Sequence, residues 1–600
     1  MRLTKTNRTY LVIAVALLTR LIYLAQYGGT PFYSVPMWDA GEYNDMAIAL
    51  SKGHLHHSFA FRPALYPLLL GIVYMIFGVG PLFPSLLQIA VGVYACVLVQ
   101  RITTRLFGDG AGLGAGLAAA LCGMMVFFDL ELMPTGLEAL LMLLLIESLI
   151  KIVDNRNKKE IDFSQRRNAS GALAGLWFAL SVLTRPVMLP LMPVILIWMW
   201  SIKVGWQNLM AFVGIGLSAL LVTMLINVNA GNGPLMTPAQ GGVNFYIGNR
   251  PGADGFTATL PNVGPGWGWD TIWRLADKAE GRELTAIEVD SHYWKLGGQE
   301  IAADPVAWVK LIVRKAWMFW NHLEISNDRD IYYHAHRYPV IGWLLWIGVS
   351  LFLPFAMVGL WVAGQDRRVT LLNIILMFYT VVVVMFFVNG RFRHPLTPIL
   401  IILAAGGVKW VVENVRGSKF QFNRDIAGAL IFFSLGIYAL FAVDTGINPK
   451  RWDYGYFTEG TALEKMGRVE QAELMYLKAL TANKNAPFVN FNLGNIERNR
   501  AHIEKSREYY YNEVEIQPYY GKAWNNLGLM EVAAGNFDRA LECFEEALRV
   551  RPDLSEAAVN AAQAWQRRGD EARENGDQEL ARRSFDRVAE LRKSIPLSQD

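Results

Sequence analysis

Residues 371–408 read LLNIILMFYTVVVVMFFVNGRFRHPLTPILIILAAGGV, two apolar runs on either side of a turn that holds Arg391 and Arg393. Each run approaches the ~20 residues that an α-helix needs to cross a bilayer. Similar runs recur along the first 450 residues, which contain 62 of the 108 charged residues, whereas residues 451–600 contain 46. The chain therefore combines a charge-poor membrane part with a charge-rich C-terminal part.

The charge-poor part contains twelve apolar runs. The first, Tyr10–Ala25, follows a basic head and lacks a cleavage site, so we expect a retained signal anchor. The others lie at about 63–79, 84–100, 111–128, 134–153, 170–184, 186–202, 208–228, 340–363, 369–388, 394–412 and 425–443.

The basic residues between these runs predict which runs cross, because Lys and Arg accumulate in short cytoplasmic loops. If all twelve crossed, the basic clusters at 101–105, 151–167, 367–368 and 416–424 would lie outside. The run at 63–79 is bracketed by prolines. If it lies along the outer membrane interface, or enters the membrane and returns to the same side, all of these clusters are cytoplasmic. We therefore predict an all-α fold, a polytopic transmembrane helical bundle of about eleven spans.

This orientation predicts two domains in a cytoplasmic (inner) membrane protein. Residues 1–444 form the membrane domain, with external loops at 26–83 and 229–339, and residues 445–600 form an extracytoplasmic, periplasmic domain. The turns at 129–135 and 389–393 also face outward, so the chemistry is expected on the outer side.

The C-terminal domain is predicted to be a tetratricopeptide α-solenoid. Large, small and helix-breaking residues recur every 34 residues, as in tetratricopeptide helix pairs. The three agreeing registers contain Gly460, Ala472, Tyr476 and Ala479; Leu493, Gly494, Tyr510 and Pro518; and Trp524, Leu527, Gly528, Ala540, Phe544, Ala547 and Pro552. A fourth unit begins near Ala558, with its second helix displaced by seven residues. Such arrays bind peptides or partner proteins on a concave face, although a passive spacer or dimer contact has the same pattern.

Three clusters of ionisable residues share the predicted outer side, where they are functional candidates. They comprise Asp39, Glu42 and Arg62 with Tyr66 after the first run; Asp129 and Glu131; and Arg391 and Arg393. Asp39 with Glu42 has an alternative explanation as a helix N-cap and its capping-box partner, and Asp129 and Glu131 as ordinary loop carboxylates. The two outward arginines oppose the charge bias, which indicates an anion such as a lipid-linked phosphate.

The order of these motifs resembles the family 39 glycosyltransferases, within the C-type membrane glycosyltransferases that include protein O-mannosyltransferases. The similar segments are Asp39-Ala-Gly-Glu-Tyr, Arg62-Pro-Ala-Leu-Tyr-Pro, Leu183-Thr-Arg-Pro and Arg391-Phe-Arg-His-Pro-Leu. The segments 241–249 and 319–327, which contain Asn249 and Glu324, resemble a bacterial subgroup ending in tetratricopeptide repeats. The resemblance covers about residues 10–600.

The resemblance implies transfer of a sugar from a polyprenyl-phosphate donor to an acceptor outside the membrane, the acceptor being a protein or a glycan. By position it implies that Asp39 is the catalytic carboxylate and that Arg393, with Arg391 beside it, lies near the donor phosphate; Arg62 is a further candidate for binding this phosphate. Asp129 and Glu131 both fit the second carboxylate. A relative of the family binds a metal, so binding of a divalent ion stays open here, with His54, His56, His57 and His394 as candidate ligands. No other cofactor is expected.

These residue types suit that chemistry. A departing phosphate needs cationic hydrogen-bond donors rather than a general acid, and a carboxylate must accept the proton of the attacking hydroxyl. A single carboxylate base predicts inversion, whereas a second, nucleophilic carboxylate predicts retention. Trp267 and Trp269 in the long loop are candidates for contact with sugar, or for an interfacial aromatic belt.

Two other functions fit part of the pattern: a transporter or flippase of lipid-linked sugars, and a membrane-anchored tetratricopeptide scaffold. The runs show no internal duplication and the charges gather on one side, which opposes the transporter. A net charge of +4 and the absence of a basic patch exclude nucleic acid as a partner. Three scattered cysteines predict neither a disulfide framework nor a zinc site.

Overall fold

The computed structural model describes residues 4–157, 165–260, 263, 268–326, 329–416, 424–450 and 452–594. The described residues form α-helices, short 3₁₀ turns and connecting loops, and contain no β-strand. The chain divides into two compact units. Unit 1 comprises Met1–Thr257 and Thr285–Pro449, and unit 2 comprises Ala258–Leu284 and Lys450–Asp600.

The described helices are numbered α1 to α30 in chain order. The first twelve are α1 Lys5–Tyr27, α2 Pro31–Ser34, α3 Asp39–Ser51, α4 Leu65–Phe77, α5 Leu82–Phe107, α6 Asp109–Leu121, α7 Gly123–Phe128, α8 Thr135–Asn157, α9 Gln165–Thr184, α10 Leu191–Ser201, α11 Trp206–Asn229 and α12 Gly241–Asn249. The next ten are α13 Trp269–Glu280, α14 Ala286–Ala303, α15 Pro305–Phe319, α16 Ile331–Arg337, α17 Pro339–Leu344, α18 Val349–Ala363, α19 Arg367–Val384, α20 Gly390–Arg393, α21 Thr397–Arg416 and α22 Arg424–Phe441. The last eight are α23 Asp453–Lys465, α24 Val469–Ala482, α25 Val489–Asn499, α26 Ile503–Ile516, α27 Gly521–Ala533, α28 Phe537–Val550, α29 Ser555–Glu574 and α30 Gln578–Ser594.

Seven helical segments of the described chain are long and apolar enough to cross a membrane. They are Lys5–Tyr27, Leu82–Phe107, Trp206–Asn229, Pro339–Ala363, Arg367–Val384, Gly390–Arg416 and Arg424–Phe441. Shorter apolar helices occur at Leu65–Phe77, Ser170–Thr184 and Pro186–Ser201. The count of about eleven spans stays a prediction. Helix α4 has 13 residues, about 20 Å of rise, which is too short to cross a ~30 Å hydrocarbon core.

Within the apolar run at 111–128, Cys122 interrupts the helix. Cys122 has an extended backbone and separates α6 from α7. Gly123 then donates its N–H to the carbonyl of Ile347 at 3.3 Å. A Cβ on Gly123 would lie 2.7 Å from the Leu344 carbonyl carbon. The break therefore lets the chain at residue 123 pack closely against the chain after α17.

Helices α3 and α4 position the first candidate cluster. Tyr43 and Ala47 of α3 pack with Tyr66, Leu70 and Tyr74, which lie on α4, in one buried core. This packing fixes Asp39, the first residue of α3, beside the chain that enters α4.

Unit 2 contains α13 and the predicted repeats. In each repeat an aromatic ring packs against a glycine that lies 16 residues earlier in the sequence. A Cβ on that glycine would lie 2.6–2.7 Å from the ring. The pairs are Gly460 with Tyr476, Gly494 with Tyr510, Gly528 with Phe544 and Gly569 with Phe585. Helix α29 has 20 residues whereas α27 has 13. These seven additional residues account for the displaced second helix of the fourth unit.

Residues 258–284, which lie within the predicted external loop 229–339, include helix α13. They belong to unit 2, where Arg274 lies 4.0 Å from Asp553. Asp553 also pairs with Arg551 at 2.8 Å.

Candidate active site

Asp39 is the first residue of α3, and the backbone before it is strained. Trp38 is the N-cap residue and has a φ of +55°, a region that non-glycine residues rarely adopt. Neither Asp39 nor Glu42 caps the helix: no side chain caps α3, and both carboxylates bind Arg62 instead. The capping-box explanation of these two residues is therefore wrong.

Arg62 and Arg391 hold Asp39 between them. Arg62 donates from Nη2 to Asp39 Oδ1 and from Nε to Glu42 Oε2, both at 2.6 Å. Arg391 donates from Nη1 to Asp39 Oδ2, also at 2.6 Å. Two carboxylates and two guanidinium groups thus form one network whose charges balance.

The two arginines set the protonation of Asp39. Burial raises the pKa of this carboxyl, but Arg62 and Arg391 lower it by a larger amount, so its pKa lies well below the usual range. Asp39 is therefore ionised at neutral pH. With both arginines in place it is also a weak base.

Arg391 is positioned by a short turn between two apolar helices. Helix α20 has four residues and is capped by the Asn389 side chain, which accepts the N–H of Phe392 at 3.0 Å. The N–H of Gly390 binds the Ile325 carbonyl at 2.8 Å. A Cβ on Gly390 would lie 3.0 Å from Glu324 Oε2, so glycine allows this close approach.

Arg393 occupies a different environment from Arg391. Its guanidinium is buried and donates to the carbonyls of Phe319, Asn321 and Leu323 at 2.7–3.2 Å. It also pairs with Glu324 at 2.7 Å. Of the three predicted phosphate-binding arginines, the structure brings Arg62 and Arg391 to Asp39, whereas Arg393 holds the 319–324 segment and Glu324.

A small, partly open cavity of about 30 Å³ adjoins this cluster. Its polar lining residues include Glu131, Glu324, Arg329 and Arg391, and its walls are methionine, phenylalanine and isoleucine side chains from 124–133 and 325–331. Apolar walls with a few convergent polar groups are a general feature of small-molecule sites.

The cavity distinguishes the two candidates for the second carboxylate. Glu131 lines it, accepts the Tyr27 hydroxyl at 3.2 Å and pairs with Arg329 at 3.2 Å. Asp129 is buried elsewhere and pairs with Arg20 at 2.8 Å. A Cβ on Gly92 would collide with the Asp129 carboxylate, so Asp129 is packed on that side by backbone.

Tyr66 connects the Asp39 side of the site to Glu131. Its hydroxyl donates to Gln88 Oε1 at 3.1 Å, and Gln88 Nε2 donates to the Glu131 carbonyl at 2.5 Å. The Tyr66 ring also meets Tyr43 edge to face at 5.4 Å, and Arg62 lies over the Tyr43 ring at 5.7 Å. Tyr66 is buried, which suits a supporting role.

The remaining predicted loop residues are Asn249, Trp267 and Trp269. Asn249 is buried and accepts from Trp308 Nε1 at 2.9 Å and Lys315 Nζ at 3.0 Å. Burial lowers the pKa of Lys315 to about 7. Trp269 begins α13 in unit 2. Trp267 lies outside the described residues.

The candidate metal ligands do not gather. In the part of the chain that the structure describes, no group of three or more His, Cys, Asp or Glu side chains is arranged to hold a metal ion. The rings of His56 and His57 stack at 4.3 Å, whereas His394 is buried against Phe128 at 4.9 Å.

Sequence reasoning did not select Arg329, Arg185 or Arg20. Arg329 pairs with Glu131, and Arg185 pairs with Glu138 at 2.8 Å. Arg20 lies within an apolar helix and requires a counter-charge, which provided a signal for Asp129. Arg329 carried no such signal, because it is one of six arginines in the long loop 229–339.

Comparison with known proteins identifies the C-terminal region. Family models described as "Tetratricopeptide repeat" match residues 454–485 and 521–554. An uncharacterised protein of Methanocaldococcus jannaschii is 33% identical over 63 residues, which is 10% of this chain and 73% of the relative. Photosystem I assembly protein Ycf3 of Cyanophora paradoxa is 28% identical over 120 residues, which is 19% of this chain and 69% of the relative.

A solved structure overlaps a larger part of the chain. It is the archaeal oligosaccharyltransferase AglB of Archaeoglobus fulgidus, in complex with an inhibitory peptide and a dolichol-phosphate. The match covers 75% of this chain and 57% of AglB, with 15% identity and a TM-score of 0.38. A likeness this remote assigns no activity.

Proposed function

Since its C-terminal region makes this chain a member of the tetratricopeptide-repeat family, we propose that the repeats serve an enzyme built in the helical bundle. We propose a membrane glycosyltransferase that moves a sugar from a polyprenyl-phosphate donor to an acceptor hydroxyl. The observation that carries this proposal is the contact between Arg391 and Asp39 at 2.6 Å beside an apolar cavity. It combines a phosphate-binding cation with a carboxylate base, the two groups that such a transfer requires.

The reaction uses Asp39 as the general base. The acceptor hydroxyl oxygen forms a bond to the anomeric carbon of the sugar and gives its proton to Asp39. The bond between that carbon and the phosphate oxygen breaks, and its electron pair leaves with the polyprenyl phosphate. Arg391 donates hydrogen bonds to the oxygens on which this charge develops. A single displacement of this kind inverts the anomeric carbon.

Donor binding activates the base. Arg391 lines the cavity and also binds Asp39, so a phosphate that attracts Arg391 weakens its hold on Asp39. The phosphate also places a negative charge near the carboxylate, and both changes raise the pKa of Asp39. The base therefore becomes stronger when the donor is in place.

The other polar groups have supporting roles. Arg62 binds both Asp39 and Glu42 and keeps Asp39 oriented after Arg391 moves. Arg393 holds Glu324 at the cavity. Glu131, rather than Asp129, is the second carboxylate of the site, because it lines the cavity.

The remaining parts of the chain have roles that follow from their composition. The seven long apolar segments anchor the enzyme in the cytoplasmic membrane, with the site and the repeats on the outer side. The repeats bind a partner protein or the acceptor itself, since stacked helix pairs present a concave binding surface.

Sugar release from a labelled donor tests this function. The full chain, purified in detergent, is mixed with a radiolabelled polyprenyl-phosphate hexose and an envelope fraction as acceptor source. Labelled product should form with the wild type and with Asp45→Asn, an exposed carboxylate on the same helix, but not with Asp39→Asn. Movement of intact donor across proteoliposomes without bond cleavage would replace this proposal with a flippase. Activity retained in Asp39→Asn would contradict the assigned base.

A further inference from the structure

Helix α15 has apolar side chains on two opposite faces. On its inward face Met318 and Phe319 are buried. On its outward face Val306, Val309 and Val313 follow the spacing of one helical stripe, and each is more than half exposed. A helix at a protein surface in water usually has a polar outward face. This valine stripe therefore indicates contact with something less polar than water.

The C-terminal half of α15 lies at the ends of two candidate membrane spans. Lys315 Nζ donates to the carbonyl of Phe386, two residues beyond the end of α19, at 2.7 Å. The Trp317 ring meets the Tyr438 ring of α22 edge to face at 5.4 Å. Both α19 and α22 are long and apolar enough to cross a membrane, and these are the ends that the proposed orientation places outside. Helix α15 is thereby held at the level of the outer membrane–water interface.

The valine stripe continues onto one of these spans. Trp317 follows Val313 by one helical turn and contacts Tyr438. Tyr438 and Phe441 of α22 are themselves more than half exposed, as expected of side chains that face acyl chains. Lipid, rather than a second protein, is therefore the occupant that fits the stripe.

Two cations lie along one edge of the stripe. Lys310 and Arg314 are exposed and follow Val306 by four and eight residues, which places them beside the valines. The helix itself contains no Asp or Glu. Cations that flank the apolar face of an interfacial helix attract the anionic headgroups of phospholipids.

From these contacts and charges we infer that α15 lies in the outer leaflet interface, with its valine stripe against acyl chains and with Lys310 and Arg314 on anionic phospholipid headgroups. The inference goes beyond the proposed reaction and rests only on the membrane placement within the proposed function. It also gives the segment 319–324 a fixed base, because Phe319, the last residue of α15, accepts a hydrogen bond from Arg393.

The depth of a spin label in the membrane tests the position of α15. The full chain is reconstituted in nanodiscs of phosphatidylcholine and phosphatidylglycerol at about 2:1. A nitroxide on Val309→Cys should collide more often with oxygen, which concentrates in lipid, than with a water-soluble nickel chelate. The three native cysteines are buried, so wild type provides the labelling blank.

Two further labelled positions calibrate this depth. Val381→Cys, on the exposed side of α19, should report the acyl region, and Asn499→Cys, exposed on the repeats, should report water. If the Val309 label is as accessible to nickel as the Asn499 label while the Val381 label is protected, the inference is wrong and the membrane bundle stands. Protection of the Val309 label from both oxygen and nickel would mean that protein covers the stripe, which also overturns the inference. A Val381 label in water would refute the proposed membrane placement itself.

Quenching by labelled lipids tests the role of the two cations. A fluorophore on Val309→Cys is exposed to doxyl-phosphatidylglycerol or to doxyl-phosphatidylcholine at equal mole fraction. We expect at least about twofold stronger quenching by the anionic lipid in low salt, because cations near the surface attract it, and a smaller difference in high salt. Lys310→Gln combined with Arg314→Gln should remove this preference and leave the label in lipid. The matched control, Lys465→Gln with Lys484→Gln on exposed lysines of the repeats, should retain it. Equal quenching in the parent protein, or a preference that survives the α15 double substitution, would contradict the assignment of anionic headgroups.

Discussion

Asp39 and Asp129 each pair with arginine, but they lie in different surroundings. The side chain of Asp39 is 20% exposed and contacts two guanidinium groups, one of which lines the cavity. The side chain of Asp129 is 2% exposed, and its partner Arg20 is fully buried. A partner that can be shared with a ligand makes Asp39 suited to chemistry, whereas a closed pair makes Asp129 suited to holding helices together.

Of the variants at Asp39 and Asp129, Asp39→Asn should lose the most turnover. Asp39→Asn removes the base but keeps the size of the side chain, so we expect turnover to fall about 10²–10⁴-fold. Its thermal unfolding in detergent should stay within a few degrees of wild type. Turnover measured with saturating donor checks this, and an inactive variant that is also unfolded would contradict a purely chemical role.

For the buried pair of Asp129 and Arg20 we expect the opposite result, a loss of stability with turnover retained. Asp129→Asn leaves Arg20 as an uncompensated buried charge, which costs about 3–5 kcal/mol of stability. Thermal unfolding should therefore occur at a clearly lower temperature, while turnover per folded molecule is retained at low temperature. Full stability together with lost turnover would reverse the roles assigned to Asp129 and Glu131.

Substitutions of the two arginines that bind Asp39 should lower kcat by different amounts. Arg391→Gln removes donors to the departing phosphate, and we expect kcat to fall about 10²–10³-fold. Arg62→Gln leaves Arg391 on Asp39 and should reduce kcat less, by roughly tenfold, through poorer orientation of the base. Steady-state kinetics of both variants with the same donor check this order. A larger loss for Arg62→Gln would assign the phosphate contact to Arg62.

The fold could be predicted from the sequence where its determinants are local. The repeats were correctly predicted because glycine and ring lie 16 residues apart on adjacent helices, as in Gly528 and Phe544. The first apolar helix ends at Tyr27, close to Ala25, where the apolar run was predicted to end. The break at Cys122 was not predicted, because it depends on packing against residues 344–347.

The sequence predicted several residues of the site but not which of them contact one another. The sequence indicated Asp39 and the outward arginines, but Arg391 meets Asp39 across 352 residues, a distance that no local pattern spans. The resemblance put Arg393 near the phosphate with Arg391 beside it, but the sequence could not show that the two side chains contact different groups, because their directions depend on the short turn of α20 and the segment 319–325. Glu131 and Asp129 differ in role for the same reason.

The smallest expected effect is a shift in the pH dependence of turnover. In the free protein Arg62 and Arg391 hold the pKa of Asp39 well below its usual range, so the acidic limb of kcat/KM for the donor should lie at low pH. In the donor complex the phosphate attracts Arg391, and the pKa of Asp39 rises toward its ordinary value. The acidic limb of kcat should therefore lie about one pH unit or more above that of kcat/KM. Glu42, Tyr43 and Arg185 also face or surround this carboxyl, and Arg391→Gln provides the control. Without the exchangeable arginine only the charge of the phosphate separates the two limbs, so the gap should narrow, and a gap as wide as that of the wild type would show that another group titrates.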